Sequence, residues 1–253
     1  MRRRIVGSAP GPAYRHLAPA TTERPLTHPA FRDCTIVFDL DGTLVDTAPD
    51  LVGATNHALA SRNLPPRGAA ELRPWISFGA RRMLVEAMAA SGFPADEAEL
   101  DRLLDLFLEY YEANIARESR PFPGSLTAIA TLRSGGARLA ICTNKRESLT
   151  LKLLAELDIA RHFDAIVGRD TLALSKPHPE PLLGAIARAG GDQARAVMIG
   201  DSAVDIATAR AARVPVVGVT FGYTETPIAE HAPDVLLDDY RDLVAALARL
   251  LSR

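Results

Sequence analysis

The stretch Cys34-Thr35-Ile36-Val37-Phe38-Asp39-Leu40-Asp41-Gly42-Thr43-Leu44-Val45-Asp46-Thr47 decides how the rest of the chain is read. Ile36-Val37-Phe38 is a short β-branched and aromatic run of the kind that forms a buried strand. It stops at two carboxylates, Asp39 and Asp41, and Gly42-Thr43 then breaks the pattern. Two acids this close repel each other and lose hydration unless a cation lies between them or one keeps its proton. In open α/β sheets ligands bind at the carboxyl ends of strands. The spacing therefore suggests one carboxylate on a metal and a second free for proton transfer.

Working outward, two more apolar runs end in polar residues. Leu139-Ala140-Ile141-Cys142 runs into Thr143-Asn144, and Val197-Met198-Ile199-Gly200 runs into Asp201-Ser202, with Asp205 one helical turn later. Between them lies Ser175-Lys176-Pro177. Lysine is scarce here, occurring only as Lys145, Lys152 and Lys176, so a lysine set before proline in a loop stands out. From Ser125 onward helical and strand patterns alternate, which predicts a parallel, doubly wound sheet. Asp39, Thr143 and Asp201 then fall at strand carboxyl ends along one sheet edge.

The segment between the first strand and this alternation reads differently. A helix is expected over 48–61 with Pro49 in its first turn, and another over 78–91, stopped by Gly92 and Pro94. Leu100, Leu103, Leu104, Phe107, Leu108 and Tyr111 recur at helical spacing as a core-facing stripe. Pro121-Phe122-Pro123-Gly124 closes the segment. Residues 1–33 carry six arginines, two acids and five prolines with little apolar periodicity. Such a stretch is expected to be a disordered extension, and it lacks the apolar core of a secretory signal.

Near-balanced charge, with 29 basic and 31 acidic residues and a net charge of −2, gives no reason to expect nucleic acid or an anionic membrane as partner. No apolar stretch is long enough to span a bilayer. Cys34 and Cys142 both fall in predicted strands, the usage of a reduced, cytoplasmic protein. The six histidines show no zinc-ligand spacing. Oligomeric state, monomer or homodimer, is left open.

The four strings together resemble the motifs of the haloacid dehalogenase superfamily, nearest its phosphoglycolate phosphatase branch. That branch is also matched by Asp46-Thr47-Ala48-Pro49-Asp50-Leu51, Thr143-Asn144-Lys145, Lys176-Pro177-His178-Pro179 and Val216-Val217-Gly218-Val219-Thr220-Phe221-Gly222-Tyr223. The resemblance implies a Rossmann-like α/β core over 34–46 and 123–253 with a helical cap over 47–122. It implies a phosphatase acting on a small-molecule phosphate ester, foremost 2-phosphoglycolate. The alternatives are another small sugar or amino-sugar phosphate, a sugar phosphomutase, or a metal-independent dehalogenase, against which Asp41 argues. By the same resemblance Asp39 is the nucleophile that becomes an aspartyl-phosphate, and Asp41 the general acid and base. Lys176 neutralises charge, and Thr143 and Asn144 hold the phosphoryl oxygens. Asp39, the Asp41 carbonyl and Asp201 bind Mg²⁺, with Asp205 behind them. For the substrate carboxylate, Arg81 and Arg82 follow Gly79 at an expected helix start, where exposed N–H groups and a guanidinium suit an anion.

Overall fold

The computed structural model describes residues 31–252 except residues 95 and 225. In chain order, strand β1 (Thr35–Phe38) is followed by the two-residue β2 (Val45–Asp46). Four helices come next: α1 (Ala48–Ala60), α2 (Ala69–Leu72), α3 (Ala80–Ala90) and α4 (Glu97–Ala113). Strand β3 (Arg120–Pro121) returns to pair antiparallel with β2, forming a narrow ribbon under the helices. The alternating half then runs α5 (Ser125–Ser134), β4 (Arg138–Cys142), α6 (Glu147–Glu156), β5 (Ala165–Val167) and α7 (Glu180–Arg188). It ends with β6 (Ala196–Gly200), α8 (Ala203–Ala211), β7 (Val216–Val219), β8 (Val235–Leu237) and α9 (Leu243–Leu251).

Six strands form one parallel sheet in the order β5-β4-β1-β6-β7-β8. This is the doubly wound α/β sheet expected from the alternation. Side chains alternate across it with a period of two. Ile36, Phe38, Leu139, Ile141, Val197 and Ile199 face the cluster containing α5, α6 and α9. Val37, Ala140, Cys142 and Met198 face α7 and α8 on the other side. Both faces are covered, so the strands read as continuous apolar runs rather than alternating ones.

Register sets the position of the polar residues. Phe38 is level with Ile141 on β4 and Ile199 on β6. Asp39 therefore leaves the central strand one residue before Thr143 and Asp201 leave their neighbours, at the same sheet edge.

The helical insertion between β2 and β3 is held by the predicted stripe. Leu100, Leu103, Phe107 and Tyr111 on α4 are buried, while Leu104 and Leu108 are partly buried against them. Asp96 caps α4 by accepting the Glu99 N–H at 2.9 Å. The expected helix over 78–91 is divided. Arg73–Phe78 forms a 3₁₀ segment and α3 begins only at Ala80, because Gly79 adopts φ +91°. That value suits glycine and breaks the helix.

Phe31 is 3% exposed and belongs to the main apolar cluster. An added Cβ on Gly135, which follows α5, would meet its ring at 2.8 Å. The folded body thus begins ahead of residue 34, the boundary suggested by composition, because one aromatic ring packs inside a stretch otherwise poor in apolar residues. Residues 1–30 lie outside the described residues.

Candidate active site

Asp39, Asp201 and Asp205 are buried at the sheet edge, with a carboxylate oxygen from each lying within 4.8 Å of the others. Lys176, from the loop before α7, stands against two of them. Its Nζ is 2.6 Å from Asp205 Oδ1 and 2.9 Å from Asp39 Oδ1. The Asp205 contact is a hydrogen bond, whereas Asp39 Oδ1 is near enough for ion pairing but not aligned to accept one.

Three buried acids against one ammonium leave an excess of negative charge in a desolvated place. The titration follows from that. Burial raises the Asp39 carboxyl to about 7, with Lys176 opposing and Asp205 adding to the rise. Asp201 is pushed well above the usual carboxylate range by burial, then by Asp205 and Asp39. For Lys176 burial disfavours the charge, but Asp205 and Asp39 outweigh it and hold the ammonium.

The glycine of the opening motif has a steric reason. Gly42 adopts φ +82°, and a Cβ there would lie 2.5 Å from Asp201 Oδ2. Asp201 is thereby drawn against the turn after β1, where Thr43 Oγ1 donates to its Oδ1 at 2.7 Å and the Tyr223 N–H to its Oδ2 at 2.7 Å. Asp205 is committed elsewhere. Its Oδ2 accepts from the Ser202 hydroxyl at 2.7 Å and the Ser202 N–H at 3.1 Å, closing a capping box on α8. With Oδ1 on Lys176, both Asp205 oxygens are engaged.

Of the remaining predicted residues, Asp41, Thr143, Asn144 and Arg81 line a cavity of about 250 Å³ between the sheet edge and the helical insertion, together with Asp39 and Lys176, whereas Arg82 does not line it. Thr143 is buried at its wall, and its Oγ1 accepts the Lys145 N–H at 3.2 Å. Asn144 donates from Nδ2 to the Lys176 carbonyl at 3.2 Å, and its buried Oδ1 has no partner among the described residues. Arg81 lines the cavity, but its guanidinium is paired with Glu97 and, at 2.6 Å, with Asp101. Arg82 pairs with Glu86 at 2.6 Å and lies over the Trp75 ring at 5.1 Å. His178 Nδ1 accepts the Glu180 N–H at 3.1 Å, a loop-stiffening contact at the start of α7. Cys142 faces away from the site, and burial pushes its thiol up to about 12.

Profile and sequence comparison agree with this geometry. Residues 36–219 match the model of the haloacid dehalogenase-like hydrolases. The chain belongs to that family. It is 49% identical to the phosphoglycolate phosphatase of Mesorhizobium japonicum over 86% of this chain and 96% of the relative. It is 45% identical to that of Agrobacterium fabrum over 89% and 94%. The crystal structure of a predicted phosphoglycolate phosphatase from Haemophilus somnus 129PT superposes with a TM-score of 0.79 at 32% identity, covering 86% of this chain and 98% of that one.

Three site residues of this hydrolase escaped sequence reasoning. Lys145 is buried, with its Nζ on both Asp41 oxygens at 2.9 and 3.0 Å. Tyr223 bridges the site to the insertion: its N–H holds Asp201, while its hydroxyl donates to Asp46 and accepts the Ala48 N–H at 3.0 Å. Buried Asp50, on α1, accepts from Ser119 Oγ at 2.6 Å and from the Ser119 and Glu118 N–H groups, tying together the two ends of the insertion. Each lies inside a string that was legible as a motif. The signal was the string, and the role of the single residue came only with its partner.

Proposed function

We propose that the chain is a Mg²⁺-dependent phosphatase that hydrolyses 2-phosphoglycolate to glycolate and phosphate through an aspartyl-phosphate on Asp39. The observation that carries this reading is that Asp39, Asp41 and Lys176 line one cavity, with Asp201 buried directly behind Asp39 at the same sheet edge. The relatives named above support the substrate.

The donor set fits a hard dication. Asp39 and Asp201 offer oxygen ligands, the Asp41 carbonyl completes the protein's share, and the uncompensated negative charge is of the kind a cation removes. Bound there, Mg²⁺ supplies positive charge that keeps these acids ionised and offsets the charge on the phosphoryl oxygens.

The residues then divide the work. Asp39 attacks phosphorus, replacing one hard displacement by two easier ones. Asp41 gives a proton to the leaving alkoxide and takes one from the water that hydrolyses the intermediate. Lys176, held by Asp205, neutralises the nucleophile and the transferring group together. Thr143 and Asn144 hold phosphoryl oxygens at the cavity wall, so the site is arranged before substrate enters. The helical insertion acts as the cap that shields this chemistry from water.

A panel of small phosphate monoesters assayed with Mg²⁺ tests the proposal. The expected result is highest kcat/KM on 2-phosphoglycolate, loss of turnover with chelator and recovery with Mg²⁺. Conversion of a sugar phosphate to its isomer without phosphate release would assign a phosphomutase. Turnover indifferent to chelation would overturn the metal-assisted reading.

A further inference from the structure

Lys145 belongs to the loop after β4, yet its ammonium is buried and meets two different parts of the molecule. Two of its N–H groups point at Asp41. The same ammonium lies 4.6 Å from the centre of the Tyr111 ring on α4 of the insertion. Tyr111 is 1% exposed, lines the cavity, and has a buried hydroxyl with no aligned hydrogen-bond partner among the described residues. A buried hydroxyl without a partner is costly, and an ammonium has three donors, of which Asp41 uses two. With the third N–H turned toward Tyr111, the phenol O–H remains to donate to a ligand, and the Lys145 ammonium beside it supplies the charge, next to the acid that serves the leaving group.

On the phosphatase reading above, we propose that Lys145 and the Tyr111 hydroxyl anchor a carboxylate carried one carbon from the scissile ester oxygen, which makes the site selective for short phosphorylated hydroxy acids. Reach supports this placement. To deliver its proton, Asp41 must come within about 2.6–3.2 Å of the ester oxygen. In a phosphorylated 2-hydroxy acid the carboxylate oxygens lie three covalent bonds from that oxygen, at most about 4 Å away. An anion resting on Lys145 Nζ, itself 2.9 Å from Asp41, thus leaves the ester oxygen next to Asp41. The other cations are less suited. Arg81 and Arg82 are held by acids of the insertion, and Arg146 and Arg169, which also line the cavity, are exposed. A buried ammonium without competing water binds an anion more strongly than an exposed guanidinium.

The experiment compares 2-phosphoglycolate with 2-hydroxyethyl phosphate, which keeps the ester and replaces the carboxylate by a neutral hydroxymethyl group. Wild type, Lys145→Met and Tyr111→Phe are assayed on both, with melting temperatures recorded. Wild type should prefer the carboxylated ester. Lys145→Met should lower the ratio of the two kcat/KM values by about 10- to 100-fold, and Tyr111→Phe by about threefold or more, mainly through KM on 2-phosphoglycolate. Should Lys145→Met fail to fold, Tyr111→Phe, which keeps the packing, decides the matter. An unchanged ratio, with equal losses on both esters, would reduce Lys145 to a positioning residue for Asp41 and overturn the anchor while leaving the phosphatase intact. A wild type that does not distinguish the esters would overturn the phosphoglycolate reading itself, before any variant is made.

Discussion

The sheet edge and the helical insertion both face the cavity, and they handle charge in opposite ways. At the sheet edge Asp39, Asp201, Asp205 and Lys176 are buried and lock one another in place. On the insertion the ion pairs are at the surface, and its one buried acid noted above, Asp50, is held by N–H and hydroxyl donors rather than by other charges. Arg62 with Glu99, Arg81 with Glu97 and Asp101, and Arg82 with Glu86 are pairs between partly exposed side chains. What holds the insertion together is the apolar face of α4 against α1 and α3, with Leu103 at its centre. One region carries chemistry at a cost in stability, and the other carries stability with charges that can change at little cost. Lys145 and Tyr223 are the points at which the two meet.

This contrast orders the expected effects. Asp39→Asn should lower phosphate release by on the order of 10³-fold or more, because an amide cannot attack phosphorus. Its melting temperature should not fall, since the change removes a charge from an overcrowded cluster. Lys176→Met removes the only ammonium among three buried acids. Breaking such a buried network costs about 3–5 kcal/mol, read by urea unfolding of the metal-free protein, and added Mg²⁺ should recover part of the loss. Equal stability of this variant and wild type would show that the acids are not crowded in solution.

In the insertion, Leu103→Ala should cost about 2–5 kcal/mol, because the side chain is fully buried. Arg82→Ala should cost less than about 1 kcal/mol, since its ion pair is half-exposed and screened. The reverse order in urea unfolding would contradict the division drawn above.

Acidity gives the most diagnostic effect. The Asp39 carboxyl sits at about 7 in the folded protein, against an ordinary value of 3.8. Between these values the folded state binds more protons than the unfolded one, so stability of the metal-free protein falls as pH rises through that window. Asp201 acts in the same direction. Mg²⁺ competes with these protons, and its stabilising effect should therefore grow with pH. A melting series across the window, with and without Mg²⁺, checks both signs. Metal-free stability that rises with pH would show the acids to be ionised without a cation.

The strands that aim the site were legible because each is an apolar run stopped by a polar residue. Asp39, Thr143 and Asp201 sit at those stops, and a parallel sheet gathers strand ends at one edge. The β2–β3 ribbon was not legible: each strand has two residues, and Pro121 in one of them argues against a strand. Lys145 was passed over because lysines are usually solvated, and its partner Asp41 lies 104 residues away. Arg81 and Arg82 illustrate the converse. A basic pair after Gly79 reads as an anion site, but acids one helix over, Glu97 and Asp101, already satisfy Arg81. Local pattern specifies elements and their ends well. Which charged groups find each other across the fold is decided by packing that no single segment contains.

On the reading proposed above, Asp39 carries the phosphoryl group between the two steps. The most direct measurement mixes the enzyme with 2-phosphoglycolate labelled at phosphorus, quenches with acid within one turnover, and maps the protein-bound label by peptide mass. The expected label lies in the tryptic peptide spanning residues 33–62, which contains Asp39, and is absent from Asp39→Asn. Label elsewhere in the chain, or steady turnover in the Asp39→Asn variant, would contradict the account.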